Sequence, residues 1–225
     1  MPDQLRLAFN SPVVIMDSET GGLSPNPNIR WGDINTQHIK KNDQLSGVVV
    51  EPPSPILQIS AVKLNQQTLV EEGYFDTLVG PNKGETVKQY LKRCNPEALE
   101  VNNIDKRQDE LKNAPPLETA MKNFLQWLPK WYTIAGQNVQ FDLNFFNAAL
   151  DFLSNDYRFV SQPLELTAFT KLYFALPDTC IVANYKLENV ASALGIDTSK
   201  AHDSLADCRI TAEVMRRIFK RFSLK

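Results

Sequence analysis

The sequence predicts a mixed α/β fold in which helices cover both faces of a β-sheet. Two neighbouring segments in the first half, residues 56–64 and 69–79, have the alternation and composition of strands joined by a short turn, which predicts an antiparallel hairpin. The second half alternates short strands with helical segments, a pattern typical of strand–helix–strand units. With 225 residues and 43% hydrophobic content the chain can bury one substantial core, so we predict a single domain over residues 1–225.

The first predicted strand ends in two acidic residues. Asp17 and Glu19 follow an apolar run at residues 13–16 and precede a glycine-containing turn at residues 20–23. Because successive strand side chains alternate between faces, the two carboxylates should project together. Paired carboxylates repel each other unless a cation lies between them, and they are typical ligands of Mg²⁺ or Mn²⁺ in phosphoryl chemistry. The alternative is an ordinary turn, in which acidic and glycine residues are common for conformational reasons.

A segment rich in proline, asparagine and glycine follows at residues 24–55 and predicts an insertion-like loop. Loops of this length in a compact domain usually carry function or are mobile. The loop begins directly after the acidic strand and its turn, so it has two interpretations. It either folds over the site or forms a surface loop without a catalytic part.

The remaining elements follow from helical periodicity, proline starts and short apolar runs. In chain order they are helices at 97–102 and 117–128, a strand at 132–136, a helix beginning near residue 142, a strand at 163–166 and helices at 168–175 and 185–194. A final helix is expected to be capped by Asp203 or Ser204. Its inward face is marked by apolar residues at intervals of three and four: Leu205, Cys208, Ala212, Met215 and Phe219.

Composition excludes several classes of protein. A net charge of −2 argues against coating nucleic acid by bulk electrostatics, although a protein that grips a few nucleotides is not excluded. Three cysteines without a Cys-x-x-Cys pair indicate neither a disulfide framework nor a zinc site. The N-terminal residues lack the pattern of a secretory signal, and no apolar run reaches about 18 residues. We therefore expect an intracellular, cytoplasmic protein that makes no use of a membrane.

Three further residues suit a site built around Asp17 and Glu19. Asp142 lies in the first turn of the helix after the 132–136 strand, where its simpler role is to complement the helix dipole. Asp207 lies one turn into the last helix among small and apolar neighbours, where a carboxylate without a cation is costly. His202 precedes it by five residues, and a histidine near a metal-bound water suits the role of base. The simpler interpretation of Asp207 is a solvated helix residue, and that of His202 is a structural histidine.

Three segments carry a family resemblance: residues 17–23, 138–142 and 202–207. In order, spacing and local structure they resemble the three motifs of the DnaQ-like, or DEDDh, 3′-to-5′ exonucleases. Residues 56–62 resemble the second strand of that family, and residues 185–190 resemble the helix before its third motif. The resemblance covers residues 12–220 apart from the 24–55 loop. It implies a ribonuclease H-like fold with a mixed five-stranded sheet, whose first three strands are antiparallel.

The resemblance also implies an activity, a metal-dependent 3′-to-5′ exonuclease that releases 5′-mononucleotides from DNA or RNA. By similarity, two Mg²⁺ or Mn²⁺ ions about 3.5–4 Å apart would be bound by four carboxylates. Asp17 would bridge both ions, Glu19 and Asp207 would complete the site of the attacking water, and Asp142 would support the second ion. His202 would be the general base that takes the proton from the water.

The resemblance assigns further residues to the 3′-terminal nucleotide: Thr20, Gly21, Gly22, Leu23, Asn138 and Phe141. In the family, the backbone at Thr20 and Gly21 approaches the terminal sugar and the leucine wedges against the last base. Asn138 would help to shape the pocket. The simpler alternatives are a buried Leu23, glycines required by a positive-φ turn, and Asn138 as a helix cap.

Two departures from the family concern how the sugar is held. The family often has threonine where Gly21 stands and histidine where Gln137 stands, and neither change removes a metal ligand.

The expected partner is a nucleic acid with a free 3′ end, in single-stranded form. Homodimer formation and association with a polymerase stay open, although the chain's end directly after its last helix favours a free-standing enzyme. Two other functions compete with exonuclease activity. One is a catalytically silent nucleic-acid-binding or polymerase-associated module of the same fold, and the other is a carboxylate-metal phosphatase acting on small molecules.

Overall fold

A computed structural model describes residues 9–23, 54–159, 162–199 and 201–223. These residues contain a five-stranded sheet with the strand order β3-β2-β1-β4-β5. Its strands are β1 (Val13–Thr20), β2 (Ile56–Leu64), β3 (Glu71–Leu78), β4 (Thr133–Gly136) and β5 (Leu164–Glu165).

Helices occupy most of the remaining described chain. They are α1 (Val87–Leu91), α2 (Pro96–Asn102), α3 (Gln108–Asn113), α4 (Leu117–Trp127), α5 (Val139–Phe152), α6 (Leu166–Phe174), α7 (Leu187–Ala193) and α8 (Ser204–Ser223). A 3-10 helix at Ile104–Lys106 lies between α2 and α3. No described helix is both long and apolar enough to cross a membrane.

The sheet is mixed, as the sequence predicted. Strand β1 pairs antiparallel with β2, and β2 pairs antiparallel with β3. On its other side β1 pairs parallel with β4, which pairs parallel with β5. The first three strands are therefore antiparallel, and the carboxyl ends of β1 and β4 meet at one edge of the sheet. The segments that carry Asp17, Glu19 and Asp142 lead to this edge.

Apolar residues of β1 alternate between two cores. Val14 and Met16 face a core that includes side chains of α4 and α5, whereas Val13 and Ile15 face a core formed with α7 and α8. All four are at most 2% exposed, and each contributes about 1.5–3 kcal/mol through burial. Helices thus cover both faces of the sheet. The predicted inward residues of α8 lie in the second core, where Leu205 is only partly buried.

Predicted and observed elements differ at several boundaries: α5 begins at Val139 rather than near residue 142, and α6 and α7 differ from their predicted bounds by one to two residues. The short helix α1 was not predicted individually. The third strand begins at Glu71 rather than at residue 69, because Leu69 has φ 57° and belongs to the turn. The helix α3 and the 3-10 helix were not predicted individually. Their residues Ile104 and Leu111 join a third core cluster at the end of β2 and β3. Most of the predicted 24–55 loop lies outside the described residues, except Ser54 and Pro55, which are buried.

The substitution Phe124→Ala should remove the centre of the aromatic core on the α4 and α5 face. The ring of Phe124 is fully buried and contacts Phe75, Phe146 and Phe159. Loss of this volume should lower the free energy of unfolding by about 3–5 kcal/mol, measured by urea denaturation. The matched change Lys122→Ala, on the exposed side of α4, should alter it by less than about 0.5 kcal/mol. Equal effects of the two changes would contradict this packing.

Candidate active site

Three carboxylates meet at the end of β1. Asp17 and Glu19 lie two residues apart on the face that is covered by α8, and Asp207 reaches them from the first turn of α8. Each contributes an oxygen atom, and these oxygens all lie within 4.8 Å of one another. All three side chains are partly buried. The alternation of strand side chains therefore brings the two β1 carboxylates together, and α8 supplies a third.

The start of α8 is held in place by contacts on either side of Asp207. Asp203 caps the helix, and its Oδ1 accepts a hydrogen bond from the Ala206 backbone N–H at 3.1 Å. The hydroxyls of Ser204 and Ser60 of β2 are 2.6 Å apart in the buried interior. Cys208 is fully buried and places its Sγ 3.6 Å from the Ser60 carbonyl. These contacts fix the register of α8 against the sheet and so set the position of Asp207.

The carboxylate cluster concentrates negative charge at the end of β1. Within the described part of the chain, no lysine, arginine or histidine forms an ion pair with Asp17 or Glu19. Burial raises the pKa of Asp17 well above its usual range, and the charges of Asp142 and Glu19 raise it further. Burial, with the charge of Asp207 next, raises the pKa of Glu19 to about 7. Burial also raises the pKa of Asp207 to about 6. A set of oxygen ligands with this excess of negative charge fits a hard divalent cation such as Mg²⁺ or Mn²⁺.

Asp142 is not one of the three grouped carboxylates, although its charge acts on Asp17 and raises the pKa of that carboxyl. It is 4% exposed in the first turn of α5, and its Oδ1 accepts hydrogen bonds from the Ser18 backbone N–H at 2.9 Å and the Ser18 hydroxyl at 2.7 Å. Ser18 stands between Asp17 and Glu19 but faces the other side of β1. Asp142 therefore ties α5 to the acidic strand, a contact that a role limited to the helix dipole would not require.

His202 is held at the rim of the cluster. Its backbone is left-handed, with φ 69°, and its N–H donates to Asp207 Oδ2 at 3.2 Å. The imidazole is about half exposed, and its Nε2 lies 3.1 Å from Glu188 Oε1 on α7. The sequence placed His202 beside Asp207 but offered no signal for Glu188, because the contact depends on how α7 packs.

The turn after β1 is closely packed, which explains its two glycines. Gly84 and Gly195 are the positive-φ glycines among the described residues, so a positive-φ requirement at Gly21 and Gly22 is wrong. A Cβ at Gly21 would instead lie 2.7 Å from Cys94 Sγ and 2.7 Å from Pro55 Cδ. A Cβ at Gly22 would lie 2.4 Å from the hydroxyl of Ser54. The side chain of Thr20 closes the turn by donating from Oγ1 to the Gly22 carbonyl at 2.7 Å.

Leu23 is 85% exposed, so the alternative of a core leucine is wrong. Asn138 precedes α5 in a left-handed conformation, and its side chain makes no capping bond. Glu165 caps this helix instead, accepting from the backbone N–H groups of Asn138 at 2.9 Å and Val139 at 3.1 Å. The amide of Asn138 is therefore exposed at the same edge of the sheet. The ring of Phe141, one turn further on, is partly buried at the border of the core.

Gln137 stands where the family often has histidine. Its Nε2 donates to the carbonyl of Tyr185 at 2.7 Å, which joins the end of β4 to the loop before α7. The side chain is therefore engaged in a structural contact within the described chain.

A family model described as Exonuclease, of the RNase T type, matches residues 14–215, which include all three acidic segments. The chain belongs to this exonuclease family. No curated protein matches the sequence of this chain significantly.

Several solved structures resemble this chain over nearly its whole length. The zinc-bound complex of E. coli exonuclease I with single-stranded DNA matches with a TM-score of 0.67 and 18% identity, covering 95% of this chain and 41% of that one. The nuclease domain of 3′hExo, a DEDDh family member bound to rAMP, matches with a TM-score of 0.64 and 17% identity, covering 96% and 95%. At these identities the likeness shows a shared ribonuclease H-like fold.

A 3′-exonuclease that recognises the 3′ end of a histone mRNA stem-loop matches with a TM-score of 0.65 and 17% identity, covering 98% of this chain and 67% of that one. The present chain spans less than half the length of the E. coli exonuclease I chains.

The substitution Gly21→Ala should force the turn apart, because the added methyl meets Cys94 and Pro55 at less than contact distance. We expect a loss of about 1–3 kcal/mol in the free energy of unfolding, measured by urea denaturation. Gly73→Ala is the matched control, since a Cβ there meets nothing within 4 Å. An alanine in this strand should be neutral or stabilise by up to about 1 kcal/mol. If Gly21→Ala were as stable as Gly73→Ala, the close packing would be wrong.

Stability of the metal-free protein should depend on the pH through the carboxylate cluster. The pKa of Glu19 rises from 4.5 to about 7 on folding, and that of Asp207 rises from 3.8 to about 6. The folded protein therefore holds more protons than the unfolded chain, so these groups lower stability as the pH rises from about 4 to about 7. Thermal unfolding in EDTA should show this decline, and Mn²⁺ should offset it near neutral pH.

The variant Asp207→Asn isolates the contribution of the cluster from that of other titrating groups. It removes one carboxyl group whose pKa is raised in the folded protein, so the melting temperature of the variant in EDTA should fall less steeply over the same pH range. Its stabilisation by Mn²⁺ should also be smaller than that of the parent. Identical pH profiles and identical Mn²⁺ effects in the two proteins would contradict the assignment.

Proposed function

We propose that the protein is a metal-dependent 3′-to-5′ exonuclease that removes 5′-mononucleotides from the 3′ end of single-stranded DNA or RNA. The observation that carries this proposal is the cluster of Asp17, Glu19 and Asp207 at the end of β1, whose carboxylate oxygens lie within 4.8 Å of one another, in a chain of an exonuclease family. A silent binding module would have no need to hold repelling carboxylates together at a cost in stability.

The four carboxylates would hold Mg²⁺ or Mn²⁺. When bound, the two divalent ions supply Lewis acidity towards the attacking water and neutralise charge on the scissile phosphate and the leaving oxygen. Asp17, Glu19 and Asp207 approach as ligands from two elements, β1 and α8. Asp142 supports the site from α5, where Ser18 holds its carboxylate against the strand that carries Asp17 and Glu19.

His202 would act as the general base. Its backbone is anchored to Asp207, so the imidazole pivots beside a proposed metal ligand. The contact between Nε2 and Glu188 places the hydrogen of the neutral ring on Nε2, which leaves Nδ1 as the basic nitrogen. A half-exposed ring in this position accepts a proton from the attacking water and releases it to solvent.

The 3′-terminal nucleotide would lie between the β1 turn and the start of α5. Leu23 is exposed in the turn that follows Glu19 and would offer an apolar surface to the last base. The exposed Asn138 and the partly buried ring of Phe141 at the start of α5 would contact the nucleotide from the other side. Similar folds have been solved with dA16 and dT13 oligonucleotides and with rAMP, which supports a single-stranded substrate here. A chain with a net charge of −2 then relies on local contacts at the 3′ end rather than on a basic surface.

The substrate and polarity can be tested with the purified chain and labelled nucleic acids. Single-stranded DNA, duplex DNA, RNA and a dinucleotide, labelled at the 5′ end, would each be incubated with Mg²⁺ or Mn²⁺. We expect a ladder that shortens from the 3′ end, 5′-mononucleotide products and complete inhibition by EDTA. Release of inorganic phosphate would instead indicate a phosphatase. Binding without any cleavage would indicate a silent module.

Substitutions in the site should distinguish the metal ligands from the general base. Asp17→Asn keeps the size of the side chain but removes a charge that the cations need, so kcat should fall about 10²–10³-fold. His202→Ala should lower kcat about 10²–10⁴-fold without weakening Mn²⁺ binding. The control Glu118→Gln removes an exposed carboxylate in the first turn of α4 and should keep parental rates. Parental nucleotide release by Asp17→Asn or His202→Ala would rule out the proposed site.

A further inference from the structure

The turn after β1 is tethered at three backbone groups by residues outside the strand. The Thr20 carbonyl accepts a hydrogen bond from Asn102 Nδ2 at 3.2 Å, and the Gly21 carbonyl accepts from the Asn95 backbone N–H at 2.6 Å. The Gly21 N–H donates to the Pro55 carbonyl at 2.8 Å. Two of these three tethers come from the opposite ends of α2, because Asn95 is its N-cap and Asn102 is its last residue.

Asn102 makes its contact from a buried position. It is 7% exposed, and its Oδ1 accepts from the Ile104 backbone N–H at 3.1 Å while its Nδ2 donates to Thr20. Both ends of the amide are therefore used, which fixes its orientation. The chain can turn back so sharply after α2 because Asn103 adopts a left-handed conformation with φ 54°. The end of α2 therefore orients the side chain of Asn102 towards β1.

We propose that Asn102 is a positioning residue for the 3′-terminal nucleotide, acting through the Thr20 carbonyl. This inference rests on the proposed function, in which the 3′-terminal nucleotide lies beside the β1 turn. The tether lies one residue after Glu19, so it sets where the turn leaves the metal site without touching the carboxylates. Loss of this tether leaves the other two in place but loosens the turn at Thr20, which weakens binding of the substrate and of its transition state alike.

Uniform weakening has a specific kinetic signature. KM rises while kcat is nearly unchanged, since the chemical step from the bound state is unaffected. Removing one hydrogen bond of this kind corresponds to roughly a three- to tenfold change. A residue needed only for folding would lower the melting temperature and the active fraction but would leave the KM of the folded enzyme unchanged.

Two variants remove the tether in different ways. Asn102→Asp keeps the oxygen that accepts from Ile104 but replaces the Nδ2 donor, so the contact with Thr20 is lost. Asn102→Leu also removes the donor and adds no charge, which controls for repulsion between a new carboxylate and the substrate. The control Asn103→Gly alters the same helix end and fits its left-handed backbone, while leaving the tether intact.

The measurements are KM and kcat for a single-stranded oligonucleotide, together with Mn²⁺ affinity and melting temperature. We expect Asn102→Asp and Asn102→Leu to raise KM roughly three- to tenfold, with kcat within about twofold and Mn²⁺ affinity unchanged. Asn103→Gly should keep the parental KM. If the parent is active and both Asn102 variants keep the parental KM, this inference is wrong while the proposed function stands. The same holds if the variants lose kcat and Mn²⁺ affinity together. A parent that releases no nucleotides would overturn the proposed function and this inference with it.

Discussion

Mutual repulsion between Asp17, Glu19 and Asp207 is the constraint on which the arrangement of the site depends. Three partly buried carboxylates with oxygens within 4.8 Å are unfavourable on their own, so the surrounding structure must hold them together. The free energy that holds them together comes from the apolar cores on either side of β1, whose inward residues are almost completely buried. Apolar packing along β1 therefore offsets the repulsion between the carboxylates at the end of the strand, which a divalent cation would relieve.

Polar contacts across the sheet make this arrangement specific. Ser60 of β2 stands opposite Asp17, and its hydroxyl contacts both Ser204 of α8 and Asp76 of β3. A slip of α8 along the sheet would break these buried hydrogen bonds and would move Asp207 away from the strand. Apolar packing alone tolerates small shifts, whereas directional hydrogen bonds do not. The serine contacts thus set the distance between the carboxylates of β1 and α8.

Local rules explain which features could be predicted from the sequence. The approach of Asp17 to Glu19 follows from strand alternation, and the buried face of α8 follows from helical periodicity. The hydrogen bonds from Ser18 to Asp142 could not be predicted, since they join residues 124 positions apart and depend on how α5 packs. The same is true of the contact between His202 and Glu188. The positive-φ alternative for the glycines of the β1 turn was wrong because these glycines are required by the packing of distant neighbours rather than by their own backbone angles.

The packing around Gly21 links three positions that are far apart in the chain. Cys94 and Pro55 fill the space that a side chain at position 21 would need, so the size of residue 21 depends on the residues at the other two positions. A threonine at position 21 would require a smaller neighbour at position 94 and a shifted proline ring at position 55. Substitutions at these three sites would therefore be non-additive. The side chain at position 21 can therefore grow only if its contacts at positions 55 and 94 change with it.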